Sequence, residues 1–177
     1  FSSEAELVNL QYIDDAGKKR YHKDADIKGC FSMLGDPQGR LFIAEGFATA
    51  ATIYEATGTC TVVAFSAGNL EPCLATIRSI LPQAHITIVA DNDNPHPKTG
   101  ENTGVAKAKE AAEKHDATVV WPPEEGTDAN DYVMNGGDLL SLIQPPTTSW
   151  LEAGSDLIQH PSPLSWLVKH WLQAKAT

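Results

Sequence analysis

The chain has 177 residues, of which 42% are hydrophobic and 20% charged, and its 13 Lys and Arg against 23 Asp and Glu give a formal net charge of −10. This composition is typical of a soluble globular protein and excludes a disordered tail. No apolar run approaches the ~18 residues of a transmembrane helix, and the first residues lack the pattern of a signal peptide, so we expect a cytoplasmic protein. Because the chain starts without Met, we also expect it to be part of a longer protein.

The first predicted element is a β-hairpin that turns at Gly17, within a β-rich extension over residues 1–40. Its second strand carries Lys18, Lys19 and Arg20, which begin the only basic run of the chain. An acidic protein repels a phosphate backbone at long range, so binding of nucleic acid would need this patch, bridging cations or another domain. The three basic residues are therefore candidates for nucleic-acid contact, although such a run is also typical of a solvent-exposed strand.

Short apolar runs then alternate with segments of helical character. The predicted strands cover residues 41–44, 61–65, 86–90 and 117–121, and the predicted helices cover residues 47–57, 71–81 and 104–115. This alternation predicts a Rossmann-like α/β fold, with a mostly parallel sheet and helices on both faces, over residues 41–144. Residues 145–177 are interpreted as a Pro-rich linker and an amphipathic helix that leads to a further domain.

Four acidic residues follow the predicted strands. Glu45 comes directly after the first, Asp91 and Asp93 after the third, and Asp128 a few residues after the fourth. Because the carboxyl ends of parallel strands share one edge of the sheet, where α/β proteins bind ligands, we expect these carboxylates to converge. Carboxylates brought together repel one another unless a cation neutralises them. Oxygen ligands without His or Cys favour Mg²⁺ or Mn²⁺.

This ordered set of motifs resembles the Toprim domain of primases and topoisomerases. The motifs are Glu45-Gly46, Asp91-Asn92-Asp93 and Asp128-Ala129-Asn130-Asp131, and together with residues 65–70 they are most similar to primase-helicase proteins of phages and plasmids. The resemblance covers about residues 41–135 and implies a Toprim fold. It implies catalytic roles for Glu45, as general acid or base, and for Asp91 and Asp93. It also implies metal binding by these three residues and Asp128.

The activity implied by the resemblance is metal-dependent nucleotidyl transfer in DNA replication. The most direct form is RNA primer synthesis, in which a 3′-hydroxyl attacks the α-phosphorus of a nucleoside triphosphate on a single-stranded DNA template. The expected partners are therefore nucleoside triphosphates, template DNA and a helicase or ATPase domain in the same parent chain. Two alternatives stay open: a Mg²⁺-dependent nuclease on the same fold, and a non-catalytic docking module of a replication protein.

Each acidic motif also has a purely structural interpretation. Glu45 could sit near the positive end of the following helix, residues 91–95 could form an Asx turn, and Asp128 could cap a helix. Three weaker candidates for substrate binding are Ser66 and Asn69, in a loop at the same edge of the sheet, and Lys98, which follows the Asp pair.

Overall fold

A five-stranded sheet forms the centre of the computed structural model, which describes residues 7–143 of the chain. The strands are β1 (Gln11–Ile13), β2 (Lys19–Tyr21), β3 (Ser32–Leu34), β4 (Arg40–Ala44), β5 (Thr61–Val63), β6 (His85–Val89) and β7 (Thr118–Val120). The helices are α1 (Phe47–Thr57), α2 (Leu70–Ile80), α3 (Thr103–His115), α4 (Ala129–Met134) and α5 (Leu139–Ile143). The linker and helix predicted over residues 145–177 lie outside the described residues.

The sheet has the strand order β3-β5-β4-β6-β7, in which β5, β4, β6 and β7 are parallel and β3 pairs antiparallel with β5. Strand β4 therefore lies in the middle, with β6 beside it in a register that pairs Ala44 with Val89. The predicted α/β fold with a mostly parallel sheet is confirmed. Strand β3 belongs to this sheet although it falls within the segment that we predicted as the N-terminal extension.

The side chains of a strand alternate between the two faces of the sheet. Because the central strands carry apolar side chains on both sides, both faces are apolar, and helices cover both. Leu41 and Ile43 of β4 pack into one apolar core with residues of α2 and α3. Phe42 and Ala44 pack into a second core with residues of α1, α4 and α5. The continuous apolar runs in the sequence are thus explained by burial on both sides. None of the helices within residues 7–143 has the length and apolarity needed to cross a bilayer.

The N-terminal hairpin of β1 and β2 is antiparallel, as predicted. Alternation along β2 places Lys19 and Tyr21 on one side and Arg20 on the other. The Tyr21 hydroxyl donates a hydrogen bond to the Phe65 carbonyl oxygen at 2.8 Å, and the two rings meet edge to face with centroids 6.4 Å apart. Arg20 instead forms an exposed ion pair with Asp14. The hairpin thus joins the central domain through the Tyr21 side of β2.

Strand β5 ends two residues before the predicted boundary. The prediction continued the strand through Phe65, but the backbone of Phe65 has a φ of +69°, in the left-handed region that an aromatic residue rarely adopts. A strand cannot continue through this conformation, so the chain turns into a short 3₁₀ segment, Ala67–Asn69, that leads into α2. The sequence carries no glycine at this position to signal the turn.

Candidate metal centre at the carboxyl edge of the sheet

The acidic cluster, which we define as Glu45, Asp91, Asp93 and Asp128, follows the carboxyl ends of β4, β6 and β7. Because β4 and β6 are parallel neighbours in matched register, the segments that follow them leave the sheet at the same edge, with strands ~4.8 Å apart. The other three carboxylates of the cluster each add negative charge at Asp91.

Asp91 is the most perturbed member of the acidic cluster. Its Oδ1 atom is buried and accepts no hydrogen bond. Burial is the largest cause that raises the pKa of the Asp91 carboxyl from its ordinary 3.8 to about 7, and the negative charges of the rest of the cluster add to this effect. A buried anionic oxygen without a donor is costly, and a cation is a partner that would remove the cost.

Glu45 is also held in an environment that disfavours its charge. Its pKa is raised, chiefly by burial and then by the charge of Asp93. A hydrogen bond from the Ala67 backbone and the positive charge of Lys19 oppose this shift. Lys19 also acts on Asp91 in the same direction, and its Nζ lies 3.5 Å from the position that a Cβ on Gly46 would take. The hairpin therefore brings a cation to the edge of the acidic cluster.

Asp93 and Asp128 are each fixed by a helix start. The Oδ2 atom of Asp93 accepts a hydrogen bond of 2.9 Å from the backbone N–H of Gly104, in the first turn of α3. The Oδ1 atom of Asp128 accepts one of 2.8 Å from the Asp131 N–H and caps α4. The capping interpretation of Asp128 is thus correct, and the same carboxylate still contributes to the negative charge around Asp91.

Asn92 is a positioning residue that the sequence did not reveal. Its side chain is 6% exposed and donates to the carbonyl oxygens of Pro122 at 2.8 Å and Glu124 at 2.9 Å. Its Oδ1 accepts a bond of 2.7 Å from Asn102, whose own Oδ1 caps α3. These bonds fix the direction of the backbone between the two Asp residues. The only available signal was an Asn between two Asp residues, a pattern equally typical of a turn.

The chemistry of the acidic cluster fits a hard divalent cation. Its donors are all carboxylate oxygens, as Mg²⁺ and Mn²⁺ prefer, and Asp91 supplies a buried oxygen without a partner. Among residues 7–143, however, no three side chains of Asp, Glu, His or Cys are already placed to hold one ion together. Two of the four carboxylates instead accept hydrogen bonds from backbone N–H groups, Asp93 from Gly104 and Asp128 from Asp131.

The remaining candidates are distributed over three places. Lys18 is exposed in the hairpin turn, where its N–H donates to Asp14, and Lys98 is exposed in the loop after Asp93. Ser66 precedes the 3₁₀ segment beside Glu45. The structure does not bring Lys18, Arg20 or Lys98 into the acidic cluster.

Asn69 is only 3% exposed and binds the protein itself. Its Oδ1 accepts from the Gly29 N–H at 2.8 Å, and its Nδ2 donates to the carbonyl oxygens of Cys30 and Ala64 at 2.9 and 2.8 Å. These bonds tie the N-terminal extension to the end of β5. Asn69 therefore has a structural role, in which it fastens the N-terminal extension to the central domain.

We expect Gly104→Ala to lower the free energy of unfolding by about 1–3 kcal/mol, measured by urea denaturation. A Cβ at this position would collide with the carbonyl oxygen of Asp91 and would stand 3.0 Å from Oδ2 of Asp93. The start of α3 would then have to move away from the acidic cluster. Gly68→Ala is the matched control, because a Cβ there meets no atom within 4 Å. Equal stability losses in the two variants would contradict the close approach at Gly104.

Comparison with known proteins agrees with this geometry. The family model of the Toprim domain matches residues 40–138, which contain β4 to β7 and the whole acidic cluster. One sequence of DNA primase TraC from Escherichia coli is 36% identical over 140 residues, which are 74% of this chain and 10% of that protein. A second DNA primase TraC from Escherichia coli is 35% identical over 128 residues, which are 69% of this chain and 12% of that protein.

The chain thus spans about a tenth of the length of these relatives. No solved structure matches it. The resemblance that the three acidic motifs suggested is confirmed by the family match, which covers more than half of the chain. On this evidence, the chain belongs to the Toprim domain family.

Proposed function

We propose that this chain is the nucleotidyl-transfer part of a larger DNA primase and makes RNA primers from nucleoside triphosphates on single-stranded DNA. The observation that carries the proposal is the unpartnered, buried carboxylate of Asp91 within the acidic cluster. It lies in a Toprim domain, and two proteins similar to this chain are DNA primases. The rest of the reaction would be served by parts of the parent protein outside this chain, and we propose that a helicase or ATPase domain is among them.

Asp91 and Asp93 are the proposed ligands of a Mg²⁺ or Mn²⁺ ion, with Glu45 and Asp128 able to complete its shell. When bound, the cation would neutralise phosphate charge and stabilise the attacking and leaving oxygens. It would also reconcile a net charge of −10 with a polyanionic substrate. The hydrogen bond from Gly104 to Asp93 and the Asn92 bonds would hold two of these ligands in place before the substrate arrives.

Glu45 is the proposed general base for the attacking hydroxyl. Burial and the charge of Asp93 raise its pKa, so its carboxylate accepts a proton more readily than an exposed Glu would. Lys19 is the proposed phosphate contact, because it places a positive charge at the edge of the acidic cluster. Lys18 and Arg20, on the outer side of the hairpin, are proposed to contact nucleic acid at longer range.

The test combines Mn²⁺ titration calorimetry with synthesis of labelled RNA on single-stranded DNA. We expect Mn²⁺ binding by the wild-type chain and metal-dependent primers from the parent protein that contains it. Asp93→Asn should lower both the Mn²⁺ affinity and the rate of primer synthesis. The loss should exceed the ~10–100-fold that is typical when a residue that only supports a metal ligand is replaced. The control is Asp131→Asn, an exposed carboxylate one turn beyond the Asp128 cap.

Other outcomes of this test would favour the alternatives. Metal-dependent shortening of the DNA, without primers, would favour the nuclease. Absence of both Mn²⁺ binding and product would favour a docking module. If Asp93→Asn and Asp131→Asn change Mn²⁺ affinity and primer synthesis equally, the acidic cluster is not the metal site.

A further inference from the structure

A cavity of about 340 Å³ lies between the N-terminal hairpin and the central domain. Its lining is mostly apolar and includes Leu10, Ile13, Tyr21, Phe47 and Phe65. The volume falls within the ~300–1,000 Å³ of small-molecule sites, which typically combine apolar walls with a few polar groups. Several lining residues are also exposed to solvent, among them Phe47, whose exposed fraction is 46%. The cavity is thus open to a ligand.

Two of its aromatic side chains are held rigidly. Gln11 donates to the Tyr21 hydroxyl at 2.8 Å, and that hydroxyl donates to the Phe65 carbonyl at 2.8 Å. Phe65 has the left-handed backbone described above, which is unfavourable for a non-glycine residue and is concentrated at functional sites. Aromatic faces fixed before binding lose little conformational entropy when a flat ligand stacks on them.

The cavity lies near the acidic cluster, although none of the four carboxylates lines it. Phe47 stands two residues after Glu45, and the negative charge of Glu45, after burial, contributes to raising the pKa of the Tyr21 phenol. Lys19 is on the same side of β2 as Tyr21. Its positive charge acts to lower the pKa of Glu45 and of Asp91. The Nζ of Lys19 lies 3.5 Å from the position of a Cβ on Gly46, the residue between Glu45 and the cavity residue Phe47, so Lys19 stands between the aromatic walls and the carboxylates.

We propose that this cavity binds the base of the nucleoside triphosphate, while Lys19 and the acidic cluster hold its phosphates. The inference rests on the proposed function, because it assumes that the acidic cluster takes the triphosphate. Stacking on aromatic side chains suits a base of any sequence, since every base has a π-face. The order of these groups, from the aromatic walls through Lys19 to the carboxylates, matches a nucleotide, with a flat apolar end and an anionic end.

The experiment compares two ligands on the 177-residue chain with Mn²⁺: a nucleoside triphosphate that carries the fluorescent base aminopurine, and inorganic tripolyphosphate. Stacking quenches this fluorescence. We expect the nucleotide to bind about tenfold more tightly than tripolyphosphate, and Phe47→Ala to remove most of this advantage. Phe47→Tyr keeps an aromatic ring and should preserve it. Ile80→Ala is the matched control, since Ile80 is 50% exposed at the end of α2, outside the cavity lining.

The inference is overturned if tripolyphosphate binds as tightly as the nucleotide, or if Phe47→Ala leaves the advantage intact. It is also overturned if only aminopurine within a single-stranded oligonucleotide is quenched, which would assign the cavity to the template. Calorimetry with Mn²⁺ alone separates the two proposals. If Mn²⁺ does not bind, the proposed function fails, and quenching of aminopurine riboside, which needs no metal, still decides whether the cavity takes a base.

Discussion

Replacing Asp91 with Asn should make the metal-free protein more stable at pH 8 and should also remove most of its affinity for Mn²⁺. Asn has nearly the same shape as Asp but carries no charge. The substitution therefore removes a buried anion that lacks a hydrogen-bond partner at Oδ1 and faces three other carboxylates. The same anion is the proposed metal ligand, so stability and metal affinity should change in opposite directions.

The sign of the pH dependence follows from the pKa of Asp91, which folding raises from 3.8 to about 7. The folded protein holds this proton more tightly than the unfolded chain does. Its contribution to stability is complete below about pH 4 and is lost as the pH rises through about 7. Between pH 4 and 8 the free energy of unfolding of the metal-free wild type should fall by about 2–4 kcal/mol from this group, and the raised pKa of Glu45 acts in the same direction.

Urea denaturation in EDTA at pH 5 and pH 8 measures this effect. Asp91→Asn should show a smaller loss of stability between the two pH values than the wild type, whereas Asp131→Asn should keep the wild-type loss. Saturating Mn²⁺ should stabilise the wild type at pH 8 and leave Asp91→Asn nearly unchanged. A variant that is less stable than the wild type at pH 8 without metal would show that the Asp91 charge is already compensated within the protein.

Asn92→Ala should be the most destabilising single change at the acidic cluster, with a loss of about 2–4 kcal/mol in the free energy of unfolding. It would leave the carbonyl oxygen of the buried Pro122 without this donor and the Asn102 amide without its acceptor, while the carbonyl oxygen of Glu124 would keep only the bond from the Thr127 hydroxyl. The loop from β7 to α4 would lose its side-chain attachment to the segment that follows β6 and would keep the backbone bonds of Asn92 to Gly126 and Thr127. Mn²⁺ affinity should fall as well, because Asn92 stands between two proposed ligands.

Urea denaturation measures the stability change, and amide hydrogen exchange over residues 121–127 locates it. Asn135→Ala is the control, since Asn135 is exposed at the end of α4. Faster exchange confined to residues 121–127 would agree with local release of the loop. An unchanged free energy of unfolding would mean that water or a neighbouring group replaces the lost hydrogen bonds.

The fold could be predicted from the sequence because its signals are local. Runs such as Leu41–Ala44 are apolar at every position, and this pattern is typical of strands covered on both faces. The boundaries of α1 were predicted at Phe47 and Thr57, as observed, because Gly46 and Gly58 flank the helix. The end of β5 could not be predicted, since no local residue signals the left-handed backbone of Phe65, and its carbonyl oxygen binds the Tyr21 hydroxyl, 44 residues away.

The candidate site could be predicted only in outline. Parallel strands share an edge, so residues that follow them meet there whatever the details of the loops, and this explains the position of Glu45 beside Asp91. The contributions of Asn92 and Lys19 depend on partners that are distant along the chain, namely the loop 121–127 and the central domain. Nothing in the local sequence separates Lys19, at the acidic cluster, from Arg20, which faces away.

The antiparallel strand β3 has a practical consequence for anyone who expresses this domain. It covers the outer edge of β5, yet it lies before residue 40, where the family match begins. A fragment trimmed to the matched region would expose the unpaired backbone of Thr61–Val63, an apolar edge of the kind that recruits strands from other molecules and aggregates. The shortest well-behaved fragment therefore has to start upstream of Ser32.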